Sequence, residues 1–336
     1  MLKVIKNIIL YMKSNTNRIH SKYIQREGRT MINTIANGVW PTMVTPYTAD
    51  NKIDYDGVLK IIEWYNEQGV AGIFAVCQSS EMFFLSKEER FALTKFIVEN
   101  TPKNISIIAS GHVAETVEEQ IEEAKVIIDL GIDAYVFISN KFAKPDEEES
   151  VLKKNIEQMI NKIQGVPFGI YECPYPYKRL ITPEILKWCA DTGRFLFLKD
   201  TCCDPQQLQA KIDAVAGSCL KIYNANAATL LDSLKMGCAG YSGIMTNFHA
   251  ELYVWLCDNY AKYPEKAEKL QAFLGLASVI ECQCYPVNAK YHMGLEGLGV
   301  GYTSRIRDHA ELTKSRQMEV EQLQRMYHLV KEWLHS

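Results

Sequence analysis

From Gly38 onward, short unbroken apolar runs alternate with longer stretches in which apolar residues recur every three or four positions. The first pattern predicts strands buried on both faces, and the second predicts helices with one apolar side. The strand-like runs are 39–45, 72–76, 105–109, 134–138, 168–172, 195–199, 220–223 and 240–245. Helical spacing separates them, as in Val58, Ile61, Ile62 and Tyr65. Ser86 precedes Glu88 and Glu89 as a helix cap, Thr116 caps a helix that Gly131 stops, and Thr182-Pro183-Glu184 and Pro205 open two more. Further helices are predicted over about 147–164, up to Gly237, and over 248–260. Eight strand–helix units in about 225 residues fit an α/β fold, a closed (β/α)8 TIM barrel. An open doubly wound sheet has the same periodicity, but its glycine-rich nucleotide turn is missing. Gly297-x-Gly299-x-Gly301 comes late, with no strand before it, and reads as a loop. Beyond Pro264 no strand pattern returns, and 265–280 and 315–334 read as two amphipathic helices added to the barrel. The predicted organisation is a basic extension over 1–30, the barrel over 31–263 and a C-terminal helical region over 264–336.

Composition narrows the partners. The 336 residues are 47% hydrophobic and 23% charged, an ordinary globular balance, and the net charge of -3 argues against nucleic acid. No apolar run is long enough to span a membrane, so no membrane partner is expected. Ten cysteines form neither a Cys-x-x-Cys pair nor a Cys/His cluster at zinc spacing, which fits a reducing, cytoplasmic compartment and no metal. The first thirty residues carry seven Lys or Arg against one Glu. They lack an apolar core and cleavage site of a targeting signal, and we read them as an unstructured extension or an early start, with Met31 as the true one.

The candidate chemistry centres on Phe195-Leu196-Phe197-Leu198-Lys199-Asp200. Four large apolar residues end in a lysine, whose charge is costly there unless it is paired or its proton is gone. An ordinary lysine is neutral in only about one molecule in 2,500 at pH 7, whereas a buried one becomes a nucleophile toward carbonyls. The alternative is pairing with Asp200 or extension to water. Catalytic groups of a barrel sit at the carboxyl ends of its strands. Those ends carry Thr45, then Cys77-Gln78-Ser79-Ser80-Glu81, Ser110 and His112, Tyr171 and Glu172, Lys199 and Asp200, Asn224 and Asn226, and Ser242. Lys199 beside Tyr171 supplies an amine to form an imine and a phenol to move its proton. The Gln78-Ser79-Ser80 turn supplies hydroxyls and backbone N–H groups for a carboxylate, with Thr45, Asn224 and Ser242 as further candidate contacts.

Several of these segments, in order, resemble the dihydrodipicolinate synthase / N-acetylneuraminate lyase family of class I aldolases. They are Thr45-Pro46-Tyr47, Gly69 to Phe74 leading to Ser79-Ser80-Glu81, Leu85-Ser86-x-Glu88-Glu89-Arg90, Tyr171-x-x-Pro174, Leu198-Lys199-Asp200, and Gly240 to Asn247. The resemblance implies that Lys199 forms a Schiff base, that Tyr171 is the phenolic acid/base, and that the turn from Cys77 to Glu81 receives a 2-oxo acid carboxylate. It implies no cofactor and a homo-oligomer, dimer or tetramer. It also exposes departures. The family turn usually reads Gly-Thr-Thr-Gly-Glu or Gly-Ser-Thr-Gly-Glu, and here both glycines are replaced and Gln78 takes the first hydroxyl's place. No tyrosine stands at Lys141-Phe142-Ala143-Lys144-Pro145, where the synthases carry a relay tyrosine, and Lys178-Arg179 come later than their usual arginine. Tyr175 or Tyr177 could supply a replacement phenol.

The expected activity is therefore a lyase or aldolase acting on a pyruvate-like 2-oxo acid through a lysine imine. Alternatives are a 2-oxo sugar-acid dehydratase of the same family or a catalytically silent ligand-binding barrel. A metal-dependent aldolase or hydrolase built on Glu81, Glu172 and Asp200 is disfavoured, because no histidine joins those acids at ligand spacing.

Overall fold

A computed structural model describes residues 34–336, so the basic segment 1–30 lies outside the described residues. Eight parallel strands follow one another: β1 Gly38–Val39, β2 Gly72–Phe74, β3 Ser106–Ala109, β4 Ala134–Ile138, β5 Phe168–Tyr171, β6 Phe195–Asp200, β7 Lys221–Asn224 and β8 Gly240–Tyr241. They pair in the order β1-β8-β7-β6-β5-β4-β3-β2. A parallel bridge between Thr42 and Phe74 brings the chain after β1 against β2. Two bonds close the ring there, Met43 N–H to Phe74 O at 3.1 Å and Phe74 N–H to Pro41 O at 2.9 Å. The molecule is thus a (β/α)8 TIM barrel with C-terminal helices.

The first and last strands are shorter than their apolar runs predict. Pro41 has no N–H to give the ladder, and the chain after β1 passes from β8 to β2. Gly240 lies so close to β1 that a Cβ there would sit 1.9 Å from Gly38 O. Aromatic side chains fill the barrel. Trp40 meets Phe197 edge-on at 5.7 Å, and Phe197 stacks on Tyr223 at 4.4 Å. Gly72 makes room for the indole, since a Cβ there would come within 2.2 Å of the Trp40 ring.

The helix signals in the sequence correspond to real caps. Ser86 Oγ accepts from Glu89 N–H at 3.1 Å while Glu89 accepts from Ser86 N–H at 2.9 Å. Thr116 and Glu119 form the same reciprocal pair, and Pro183 and Pro205 stand in the first turns of their helices. Three helices follow the barrel rather than two: Pro264–Ala277, Val287–Leu295 and Lys314–His335. The middle one has no amphipathic signature because it is covered on most sides, with Val287, Asn288, Ala289, Lys290, His292 and Met293 all buried. No helix among the described residues is long and apolar enough to cross a membrane.

Candidate active site

β5 and β6 lie side by side with Tyr171 opposite Lys199, at the carboxyl end of the barrel. The Lys199 Nζ stands 4.4 Å from the centroid of the Tyr171 ring. The lysine is 2% exposed and the tyrosine 5%, and no carboxylate is hydrogen-bonded to the amine among the described residues. Burial pulls Lys199 down to about 8, against a smaller upward pull from neighbours that include Glu281. At pH 7 roughly one molecule in ten then carries the free amine, about two hundred times the share of an ordinary lysine. Burial holds the Tyr171 phenol well above its usual range, so it stays protonated.

Asp200, the neighbour that could have neutralised Lys199, is used elsewhere. Its carboxylate accepts from Lys211 Nζ at 2.6 Å, and the same Nζ reaches Glu172 at 2.5 Å. All three side chains are buried. Glu172 also accepts from Thr201 N–H at 2.9 Å and Ile181 N–H at 2.8 Å, and Asp200 accepts from Cys202 N–H at 3.0 Å. This triad ties together the ends of β5 and β6. The alternative in which Lys199 pairs with Asp200 is not what the fold builds.

The 77–81 turn divides into an inward and a structural half. Gln78 points into the site, where its Oε1 accepts from Tyr171 OH at 3.1 Å and from Cys173 Sγ at 3.3 Å. Ser79 donates to Thr42 Oγ1 at 3.1 Å. Ser80 is fully buried and lies within 2.6 Å of the carbonyls of Met43 and Ala75. Thr45 donates to Ser80 O at 2.9 Å. Ser80 and Thr45 therefore brace the turn, and their hydroxyls are engaged within the fold. The replaced glycines cost little here. Cys77 is extended at φ -147° and Ser80 has no positive φ, while only Glu81 takes the left-handed region at φ 62°. Glu81 is locked by Lys290 at 2.7 Å, Ser304 at 3.0 Å and Arg305 N–H at 2.6 Å.

Two further expected contacts also serve the fold. Asn224 donates to Thr229 and Ser233 at 3.0 Å each and accepts from Asn226 N–H at 2.8 Å. Ser242 donates to Trp40 O at 2.9 Å, stitching the chain after β8 to the chain after β1. His112 is buried between Gln120 and Ile138 N–H, and burial lowers it to about 4. Among the described residues no group of three or more His, Cys, Asp or Glu is arranged to hold a metal ion.

Neither tyrosine offered as a replacement relay reaches Tyr171. Tyr177 donates to Asn140 O at 2.6 Å, and Tyr175 is 44% exposed with its ring against Phe83. Lys178 donates to Thr201 O at 2.7 Å, and Arg179 bonds the carbonyls of Lys144 and Glu147. The group that comes closest in character is Tyr285, whose hydroxyl accepts from Asn247 Nδ2 at 3.1 Å. Its neighbour Glu281 acts electrostatically on Lys199. Both belong to the segment after the barrel. No local motif announces Tyr285, because only the folded chain brings it to Asn247.

Comparison with known proteins bears on the family and the fold. The sequence model of the dihydrodipicolinate synthetase family matches residues 35–326. A 4-hydroxy-tetrahydrodipicolinate synthase of Methanococcus maripaludis is 26% identical over 268 residues, spanning 79% of this chain and 90% of that protein. Among solved structures, YagE, an Escherichia coli K12 prophage protein of the dihydrodipicolinic acid synthase family crystallised with pyruvate, superposes with a TM-score of 0.79 at 22% identity. That match covers 87% of this chain and 99% of the other. The Ruminococcus gnavus sialic acid aldolase superposes with a TM-score of 0.78 at 20% identity, covering 88% and 98%. At such identities the structural likeness establishes the barrel.

Proposed function

The chain belongs to the dihydrodipicolinate synthetase family, and from that premise we propose that it is a class I, imine-forming lyase of a pyruvate-like 2-oxo acid. One observation carries the reading. Lys199 is a buried lysine with no carboxylate bonded to it among the described residues, held down to about 8 by burial and seated against the Tyr171 ring. Such an amine is free often enough to attack a carbonyl at neutral pH.

The roles follow from the neighbours. The Ser79 hydroxyl and the backbone N–H groups of the turn receive the substrate carboxylate, with the 2-oxo carbon over Lys199. The amine adds to that carbon, the Tyr171 phenol gives its proton to the oxygen and regains one from the nitrogen, and a second proton from solvent lets that oxygen leave as water, with the imine still protonated. The protonated imine then draws electrons from the adjacent carbon, so that a C–C bond can form to an aldehyde or break to release one. No cofactor enters these steps. The pyruvate complex of the E. coli relative supports pyruvate as the first probe. Borohydride added with pyruvate is expected to leave the mass of a reduced adduct on Lys199. Labelling of another lysine, with Lys199→Ala still active, would overturn the assignment.

A further inference from the structure

The turn assigned to the substrate carboxylate does not hold its own shape unaided. Cys77 N–H bonds Ser80 Oγ at 3.1 Å, and the N–H groups of Ser80, Glu81 and Met82 bond back to the carbonyls of Cys77 and Gln78. Those of Gln78 and Ser79 have no acceptor among the described residues. The turn ends at Glu81, a residue with a side chain in the left-handed region at φ 62°. That conformation is unfavourable for such a residue and persists only where the surroundings hold it. A buried carboxylate is likewise tolerable only when its oxygens are bonded. Glu81 therefore depends twice on what packs against it, once for its backbone angle and once for its charge.

What packs against it comes from the segment after helix Val287–Leu295. Ser304 Oγ donates to Glu81 Oε2 at 3.0 Å, and Arg305 N–H donates to the same oxygen at 2.6 Å. Lys290 Nζ donates to Oε1 at 2.7 Å and also to Thr303 O at 2.8 Å, so the carboxylate and the ammonium both bind the loop 303–305. The Glu81 and Lys290 side chains are fully buried. The Arg305 guanidinium grips the chain just beyond the turn, donating to Phe84 O at 3.0 Å and to both oxygens of Glu89 at 2.7 Å. The Tyr47 ring packs against both cations, with Lys290 Nζ and Arg305 Cζ each 4.6 Å from its centroid.

We propose that the loop 303–305 positions the carboxylate turn through Glu81, so that pyruvate binding at the turn and closure of this loop on Glu81 form one coupled equilibrium. The assignment rests on the reading that the turn seats the substrate carboxylate. Ser79, whose hydroxyl and N–H meet that carboxylate, stands two residues before Glu81. A loop that lets go of Glu81 releases the left-handed end of the turn and moves those donors out of place. Coupling of this kind is reciprocal: whatever the closed loop adds to pyruvate affinity, bound pyruvate adds to closure of the loop. The reacting amine is carried by β6 and is not part of the linkage, so the loop acts on binding and not on the chemistry that follows. Glu81, Ser304 and Arg305 are thus positioning residues.

Borohydride trapping measured against pyruvate concentration separates the two. The double variant Ser304→Ala, Arg305→Met removes the hydroxyl bond and the guanidinium grip and leaves the Lys290–Glu81 pair in place. It is expected to raise the half-saturating pyruvate concentration about tenfold or more, as for lost bonds to a charged group, with the maximal trapping rate within about threefold of wild type. Ser304→Thr keeps the hydroxyl and should stay within about threefold of wild type in half-saturation. Tyr327→Phe removes a bond to Glu251 that joins helices Lys314–His335 and Thr246–Asn259, and should leave half-saturation unchanged. In the wild type, exchange of the Arg305 amide hydrogen should slow on saturation with pyruvate by the factor that the double variant loses. Half-saturation within twofold of wild type in the double variant would overturn the proposal, whatever its Tm. A fall in maximal rate at unchanged half-saturation would overturn it too, since the loop would then act on the amine. So would a tenfold rise in Tyr327→Phe, which would mark a general loosening. Should the double variant fail to fold, an Arg305 amide that exchanges equally with and without pyruvate overturns the proposal. A wild type that pyruvate and borohydride do not label would refute the imine reading instead, and protection of the Arg305 amide by pyruvate would still support the coupling.

Discussion

Three lysines in this protein are equally hidden from water and differently furnished. Lys211 and Lys199 are each 2% exposed and Lys290 is 0% exposed. Lys211 sits between two carboxylates, and Lys290 holds Glu81 at 2.7 Å while also donating to Thr303 O at 2.8 Å. Lys199 meets an aromatic ring and, among the described residues, no bonded carboxylate. Burial penalises all three charges, but only Lys199 lacks the compensation that makes a buried ammonium tolerable. The first two lysines join strand ends and helices into one frame. The third is the amine to which the proposed function assigns the imine. Burial alone is thus uninformative about function, and the missing partner is the signal.

The contrast can be broken most directly by exchanging the lysines. Lys199→Ala is expected to lower turnover by about 10⁴-fold or more, as for loss of a covalent nucleophile, and to abolish borohydride labelling. Lys211 and Lys290 should stay unlabelled in the wild type, and a reduced adduct on either would erase the distinction.

Stability should respond in the opposite sense. Lys211→Met leaves two buried carboxylates uncompensated, and Glu81→Gln leaves Lys290 alone. Each is expected to cost about 3–5 kcal/mol, a fall in Tm of roughly 10 °C. Lys199→Met removes a buried, unpaired charge and should leave Tm unchanged or raise it. Calorimetry of the three variants checks the pattern, and equal losses in all of them would contradict it.

Removing the ring's hydroxyl probes the same pair more gently. Tyr171→Phe keeps the aromatic face under Lys199 and loses the proton donor, so turnover should fall by about 10²- to 10⁴-fold with the fold intact. A variant within a few-fold of wild type would move the acid/base role elsewhere.

The pH dependence of trapping sharpens the comparison further. Lys199 is held down to about 8, so the free amine is the minor form below that pH. Trapping of pyruvate should rise about tenfold from pH 7 to pH 9 and then level off. A rise that continues toward pH 10.5 would mean that the amine behaves as an ordinary exposed lysine.

The smallest expected rate is for the synthase reaction itself. With pyruvate and aspartate semialdehyde in a coupled assay, kcat/KM should lie below about 10⁴ M⁻¹s⁻¹. Gln78 ends the phenol's path with an amide, and Lys178 and Arg179 are spent on backbone carbonyls. A higher constant would show that these departures do not restrict the acceptor.

The apolar runs and caps of the sequence were enough to count eight strand–helix units, because period and cap chemistry are local properties of a chain. Lys199 was legible for the same reason: an unbroken apolar strand that ends in a lysine announces a charge in the wrong solvent. Tyr171 and the 77–81 turn followed from family resemblance and strand position. Side-chain direction was not legible. Ser80, Thr45, Asn224 and Ser242 look like ligands in one dimension, yet their polar atoms close turns and join strands. Helix Val287–Leu295 was hidden because a helix covered on most sides carries no alternating pattern. The partner of Asp200 lies eleven residues away on Lys211, and that of Glu81 lies on Lys290, at a separation of 209. Tyr285 reaches Asn247 only because the chain folds back onto the barrel. Sequence determines which charges must be buried; only the packed structure decides which of them find a partner, since that depends on contacts between residues far apart in the chain.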